Sequence, residues 1–156
     1  MTKIDLAQTP EEIAIVRELF REYQTQVGID LCFQGFAAEV VGLPGDYAPP
    51  TGRLFLATQD GKPLGCIALR KLDATRCEMK RLFVRPEARG LRLGRALVDR
   101  VLAEAHAIGY EEILLDTLPS MVEAQRMYER LGFRDIPPYR ENPVPGARYL
   151  AKRLET

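Results

Sequence analysis

After Pro10, apolar side chains return every three or four positions, at Ile13, Val16, Phe20, Tyr23 and Val27, the spacing of one face of an α-helix. Thr9-Pro10-Glu11-Glu12 supplies its start: a hydroxyl to cap, a proline whose missing N–H is not needed in the first turn, and a glutamate that closes a capping box. The pattern predicts a helix over 10–27, preceded by a short strand around Ile4-Asp5-Leu6 and followed by a second short helix over 33–41, which Gly42 and Pro44 end. The period then drops to two. Residues 53–59 and 63–71 read as strands joined at Asp60-Gly61, a two-residue hairpin turn, and 76–84 follows after Asp73-Ala74-Thr75, so that three segments make an antiparallel meander. Strict alternation along 76–84 puts Glu78, Lys80 and Leu82 on one face and Cys77, Met79, Arg81 and Phe83 on the other; a bulge would change that phase.

Helical spacing resumes at Leu93, Leu97, Val101, Leu102 and Ala105 and stops at Gly109, placed as a C-terminal glycine. Residues 111–117, EEILLDT, form a short buried strand. Ser120-Met121-Val122-Glu123 reads as a second capping box, opening a helix through Ala124, Met127, Tyr128 and Leu131 to Gly132. Strands at 133–136 and 148–154 close the chain, joined by the loop PPYRENPVPGA. The order β-α-α-β-β-β-α-β-α-β-β predicts an α/β fold, a mixed, mostly antiparallel sheet flanked by helices, in a single domain over 1–156.

Charge changes this picture locally. The chain has 22 basic and 22 acidic residues, so no overall field favours a nucleic acid or an anionic membrane. Yet residues 76–100 hold eight basic side chains against Glu78, Glu87 and Asp99, whereas residues 1–50 hold eight acidic against Lys3, Arg17 and Arg21. Cys32, Cys66 and Cys77 are odd in number and far apart, which suggests neither a disulfide framework nor a metal site and fits a reducing cytoplasm. No apolar run is long enough to span a bilayer, and the N-terminus lacks a signal pattern.

The basic stretch contains Arg85-Pro-Glu-Ala-Arg89-Gly90-Leu91-Arg92-Leu93-Gly94-Arg95-Ala96, with two glycines where a helix begins. Glycine weakens a helix, but bare backbone at a helix N-terminus lets an anion reach N–H groups at the positive pole. Neither G-x-G-x-x-G nor a Walker loop is present. Arg89 to Gly94, between a strand and a helix, resembles the Q/R-x-x-G-x-G/A signature of the GNAT superfamily of N-acetyltransferases, with Arg92 where that family usually has its first glycine. Downstream, A-x-x-x-Y-x-x-x-G-F, from Ala124 through Tyr128 to Gly132-Phe133, resembles the same family's helix and following strand; Met121 stands where many members have asparagine.

The resemblance implies an acyltransferase that uses acetyl-coenzyme A and no metal. Its cosubstrate site would comprise Leu82, Phe83 and Val84 on the strand, Arg89, Gly90, Leu91, Arg92, Leu93, Gly94, Arg95 and Ala96 around the pyrophosphate, and Ser120, Ala124, Met127 and Tyr128 near the thiol. Acetyl transfer to an amine needs a neutral nucleophile, hydrogen-bond donors for the carbonyl oxygen that gains charge, and a proton for the departing thiolate. The family pattern gives the donor role to backbone N–H groups at 82–84 and the acid role to Tyr128, whose ordinary pKa lies close to that of an alkyl thiol. Glu78 matches the acidic residue that in many members draws the amine proton through water, a role that a pKa raised by burial would serve. Asp116 and Thr117 would border the acceptor pocket, and Tyr47, Tyr139 and Asn142 would wall it. His106 fits a helix C-terminus better than a catalytic site.

The acidic first third of the chain points to a small, cationic amine acceptor, attracted by Glu22, Asp30 or Glu39. Two alternatives stand beside it: a protein lysine or N-terminal acetyltransferase working on a peptide amine, and a non-catalytic acyl-coenzyme A sensor. Neither nucleic acid nor membrane is expected as a partner, and the sheet edges are compatible with a homodimer.

Overall fold

The computed structural model describes residues 2–28, 35–89 and 92–154. Its elements follow the order read from the sequence: β1 (Thr2–Leu6), α1 (Pro10–Val27), α2 (Phe36–Val41), β2 (Arg53–Gln59), β3 (Lys62–Lys71), β4 (Arg76–Val84), α3 (Leu93–Ile108), β5 (Glu112–Thr117), α4 (Val122–Arg130), β6 (Arg134–Asp135) and β7 (Arg148–Arg153). The strands form one sheet in the order β1-β2-β3-β4-β5-β7-β6, antiparallel throughout except at β4 and β5.

Local chemistry explains most boundaries. The Thr9 capping box forms as expected, with Glu12 N–H donating to the Thr9 hydroxyl and Thr9 N–H to the Glu12 carboxylate. At the β2–β3 hairpin Asp60 (φ 52°) and Gly61 (φ 81°) both take the left-handed conformations that a two-residue turn requires. The second capping box does not form. Met121, not Ser120, precedes the first turn of α4, and no side chain caps it. The first residues of the second predicted helix, 33 and 34, lie outside the described residues.

Two apolar layers sandwich the sheet. Leu97, Val98, Val101 and Ala105 of α3 and Tyr128 of α4 pack with Phe55, Ile67, Leu69, Cys77 and Met79 on one face. Val16, Leu19 and Phe20 of α1 and Phe36 and Val40 of α2 pack with Leu54, Leu56, Cys66, Ala68 and Phe83 on the other. Burying each such side chain contributes roughly 1.5–3 kcal/mol.

β4 departs from strict alternation. Cys66 pairs with Phe83 and Ala68 with Lys80, so Arg81 and Leu82 face the single residue Ile67 across the ladder. Arg81 sits at φ 61°, and the bulge reverses the phase beyond it. Phe83 therefore packs on the α1 face, while Leu82 and Val84 join Cys77 and Met79 on the α3 face. The extra residue also lets β4 and β5 part. They pair from Arg76–Glu112 to Glu78–Leu114, and from Met79 onward the β5-facing edge of β4 has no strand partner among the described residues.

Candidate active site

The divergence of β4 from β5 opens a groove of about 1060 Å³ between β4, the N-terminus of α3 and the helix α4. Leu82, Phe83, Val84, Arg89, Arg92, Leu93, Gly94, Arg95, Ser120, Ala124, Met127 and Tyr128, all expected from the sequence, line it, and Tyr23 and Gln26 of α1 join them. Gly90 and Leu91 lie outside the described residues. Ala96 does not line the groove, and its N–H is used inside the helix, donating to the Arg92 carbonyl at 3.1 Å.

The start of α3 differs in charge from that of α1. α1 begins with a side-chain cap and two glutamates in its first turn, whereas α3 has neither a side-chain cap nor an acidic residue there. Among the described residues, no acidic side chain of the helix's own first turn offsets the positive pole at this end. Arg92 precedes the helix at φ 57°, ψ 27°. Where the family signature has glycine, this arginine takes the backbone conformation that glycine adopts freely. Among the described residues, a Cβ on Gly94 would meet only Val84 Cγ2, at 3.9 Å, so packing against them does not demand glycine at that position. The missing side chain leaves space in the groove instead, which fits a pyrophosphate brought against backbone N–H groups. The free edge of β4 fits an extended, amide-bearing arm in the same way. Arg85 takes no part: its guanidinium holds Glu22 at 2.9 and 2.5 Å and the Pro63 carbonyl.

Tyr128 marks the inner end. It lines both the groove and a small adjoining cavity of about 50 Å³, which Lys80, Arg81, Asp116, Thr117 and Asn142 also line. Burial pushes the Tyr128 phenol above its usual pKa, with Tyr23 adding to the rise, so the proton is held at working pH more firmly than by a free tyrosine. The close match to a thiol expected from the sequence is shifted accordingly.

Glu78 lies behind this cavity, fully buried. Arg70 Nε donates to it at 2.8 Å, Tyr139 Oη at 2.6 Å, and Arg140 Nη2 donates as well. Burial alone would raise its pKa, but Lys80, Arg140, Tyr139 and Arg70 outweigh burial and hold it below the usual carboxylate range. The expected rise is reversed, and with it much of the basicity that a proton acceptor needs.

Lys80, next on the same side of β4, is only 7% exposed, and burial lowers its pKa to about 8 against the opposing pull of Glu78 and Asp116. Arg81 is clamped by Glu39 through two bonds of 2.9 and 2.8 Å and lies over the Phe36 and Tyr23 rings. Tyr47 donates to the same Glu39 at 2.9 Å and packs in the α1-side core rather than walling a pocket. Asn142 does reach the cavity, donating to Asp116 at 3.1 Å.

The carboxylates expected to attract a cationic acceptor are paired or lie outside the described residues. Glu22 is neutralised by Arg85 and Glu39 by Arg81, while Asp30 lies outside the described residues. Sequence reading missed the roles of Lys80, Arg81 and Arg140. The available signal was a charged run, Glu78-Met-Lys80-Arg81, in a strand whose two faces are both buried, where charge needs a purpose or a partner.

Residues 14–133 match the Acetyltransferase (GNAT) family. An uncharacterised N-acetyltransferase of Schizosaccharomyces pombe is 38% identical over 97% of this chain and 93% of its own length. The crystal structure of an acetyltransferase from Streptococcus agalactiae aligns with a TM-score of 0.82 at 26% identity, covering 98% of each chain. An aminoglycoside 6′-N-acetyltransferase complexed with coenzyme A aligns at 0.75 and 17% identity, covering 99% of this chain and 98% of that one.

Proposed function

Because the chain belongs to the GNAT acetyltransferase family, we propose that it transfers the acetyl group of acetyl-coenzyme A to the primary amine of a small acceptor, directly and with both substrates bound. The observation that carries this reading is the continuity of the site: one groove runs from the uncapped α3 terminus, past Gly94 and the free edge of β4, to Tyr128, where the second cavity begins. The likeness to a structure complexed with coenzyme A supports the same occupant.

When bound, acetyl-coenzyme A supplies an activated acyl group and a thiolate leaving group. The residues of the chain do the rest. Arg89, Arg92, Arg95 and the first-turn N–H groups of α3 hold phosphates by charge-assisted bonds. Backbone N–H groups at 82–84 orient the carbonyl and stabilise charge on its oxygen. Tyr128 holds a proton at its Oη for the departing sulfur. Burial, which lowers the pKa of Lys80, likewise favours the neutral, nucleophilic form of an amine placed in the cavity beside Tyr128. With its carboxylate engaged by Arg70, Tyr139 and Arg140, Glu78 fixes the late loop over the acceptor end and positions rather than abstracts a proton. That closure by Tyr139, Arg140 and Asn142 favours a small amine over a protein segment. The buried, unpaired thiols Cys66 and Cys77 support work in a reducing compartment such as the cytoplasm.

Thiol release from acetyl-coenzyme A, followed against a panel of small amines, tests the reading. Tyr128→Phe keeps the ring and its contact with Phe133, with centroids 5.5 Å apart. It is expected to lower kcat by about 10²-fold, within the range for losing a general acid, with little change in KM for acetyl-coenzyme A. Unchanged kcat across pH would remove Tyr128 from the chemistry.

A further inference from the structure

We propose that Met121 limits the length of the acyl group, holding the protein to acetyl by narrowing the place where the cosubstrate groove meets the inner cavity; the inference rests on the acetyltransferase reading above. Among the described residues, four line both spaces: Tyr23, Leu82, Met121 and Tyr128. An acyl group borne on the thiol and an amine in the cavity have to meet at this neck.

The carbon of a thioester carbonyl is flat, with sulfur, oxygen and the acyl chain spread around it, so placing two of the three directs the third. On the acetyltransferase reading Tyr128 takes the sulfur and the backbone from Leu82 onward takes the oxygen. The acyl chain is left to face Tyr23 and Met121. Both are held in place. The Tyr23 ring packs edge-on to Phe83, with centroids 6.4 Å apart, and lies under the Arg81 guanidinium. Met121 stands about two helical turns before Tyr128 and is anchored at three points. Its N–H donates to the Leu118 carbonyl at 2.9 Å, its carbonyl accepts from Gln125 N–H at 3.0 Å, and its sulfur accepts from the Thr117 hydroxyl at 3.6 Å.

The residue type fits the role. Methionine reaches one bond further than the asparagine that the family resemblance places here, and it brings no hydrogen-bond donor, so it offers the neck shape rather than polarity. The space beyond is small, about 50 Å³, and has to take the acceptor's amine as well. An acetyl methyl asks little of this wall, whereas each further methylene has to displace Met121 or intrude on the amine. One methylene too many against an apolar wall is discriminated by roughly 10–200-fold.

Binding separates the wall from the acceptor. Kd is measured by calorimetry, with no amine present, for coenzyme A, acetyl-coenzyme A and butyryl-coenzyme A. The wild type is expected to hold the acetyl thioester at least tenfold more tightly than the butyryl one. Met121→Ala is expected to cut that ratio at least fivefold, and Met121→Leu, similar in size, to keep most of it. Met121→Ser shortens the side chain in the same way and adds the capping hydroxyl that α4 lacks, so a folded short variant does not depend on the alanine. A purely structural role for Met121 would weaken all three ligands together and leave the ratio unmoved. A wild-type ratio below tenfold overturns the proposal, as does a ratio that a folded Met121→Ala or Met121→Ser leaves in place. Failure of coenzyme A and both thioesters to bind the wild type would instead overturn the acetyltransferase reading beneath it.

Discussion

Arg81 (φ 61°) and Arg92 (φ 57°) hold left-handed backbone that disfavours an L residue by about 1–2 kcal/mol and that glycine adopts readily. For Arg81 the cost is offset locally by the Glu39 clamp and by two aromatic faces. Arg92 is exposed and its side chain caps nothing in α3, so its strain has no such compensation within the helix. Arg92→Gly is therefore expected to stabilise the protein by about 1 kcal/mol, roughly 2–4 °C in Tm for a chain of this size, whereas Arg92→Ala keeps the strain. Thermal melts of the two variants check this; a glycine variant no more stable than the alanine variant contradicts it. The position of Arg92 was readable from the motif, because it replaces a glycine. Arg81 was not, since arginine carries no turn signal and alternation gives no reason to break there.

At the scale of elements, the site depends on how β4 is seated against β3. Gly65 pairs with Val84, and a Cβ there would stand 2.6 Å from the Phe83 carbonyl oxygen, a backbone atom that cannot move without shifting the strand. Gly65→Ala is expected to lower stability by about 1–3 kcal/mol, as overpacking does, and to weaken coenzyme A binding because residues 82–84 line the groove. Urea unfolding with and without coenzyme A measures both, and a variant matching the wild type in midpoint and affinity contradicts the role given to this contact. Elements themselves were well marked in the sequence. Their order follows from helical and strand periodicity, and the Thr9 cap and the Asp60-Gly61 turn follow from local chemistry. The false capping box at Ser120 shows the limit of such signals: Met121 takes the position before α4, and Ser120 lines the groove. A four-residue pattern does not record which residue the chain path places first.

Across the whole molecule, function arises from contacts between distant segments. Arg140 reaches Glu78 across 62 positions and Arg81 meets Glu39 across 42. Charge totals over stretches of sequence are blind to such pairings, whereas most residues that line the groove fall in contiguous motifs. The groove, by contrast, joins β4, α3 and α4 at the one place where the sheet divides. On the proposed function, this gap holds coenzyme A, with its phosphates against the bare start of α3. Calorimetric titration of coenzyme A into the wild type and into Gly94→Trp tests this most directly. A Cβ at Gly94 has only Val84 nearby, so the indole fills the groove without disturbing the core. The wild type is expected to bind with a Kd on the order of micromolar, about −8 kcal/mol, and a folded Gly94→Trp at least tenfold more weakly. Equal affinity in the two proteins, or no binding by the wild type, would contradict it.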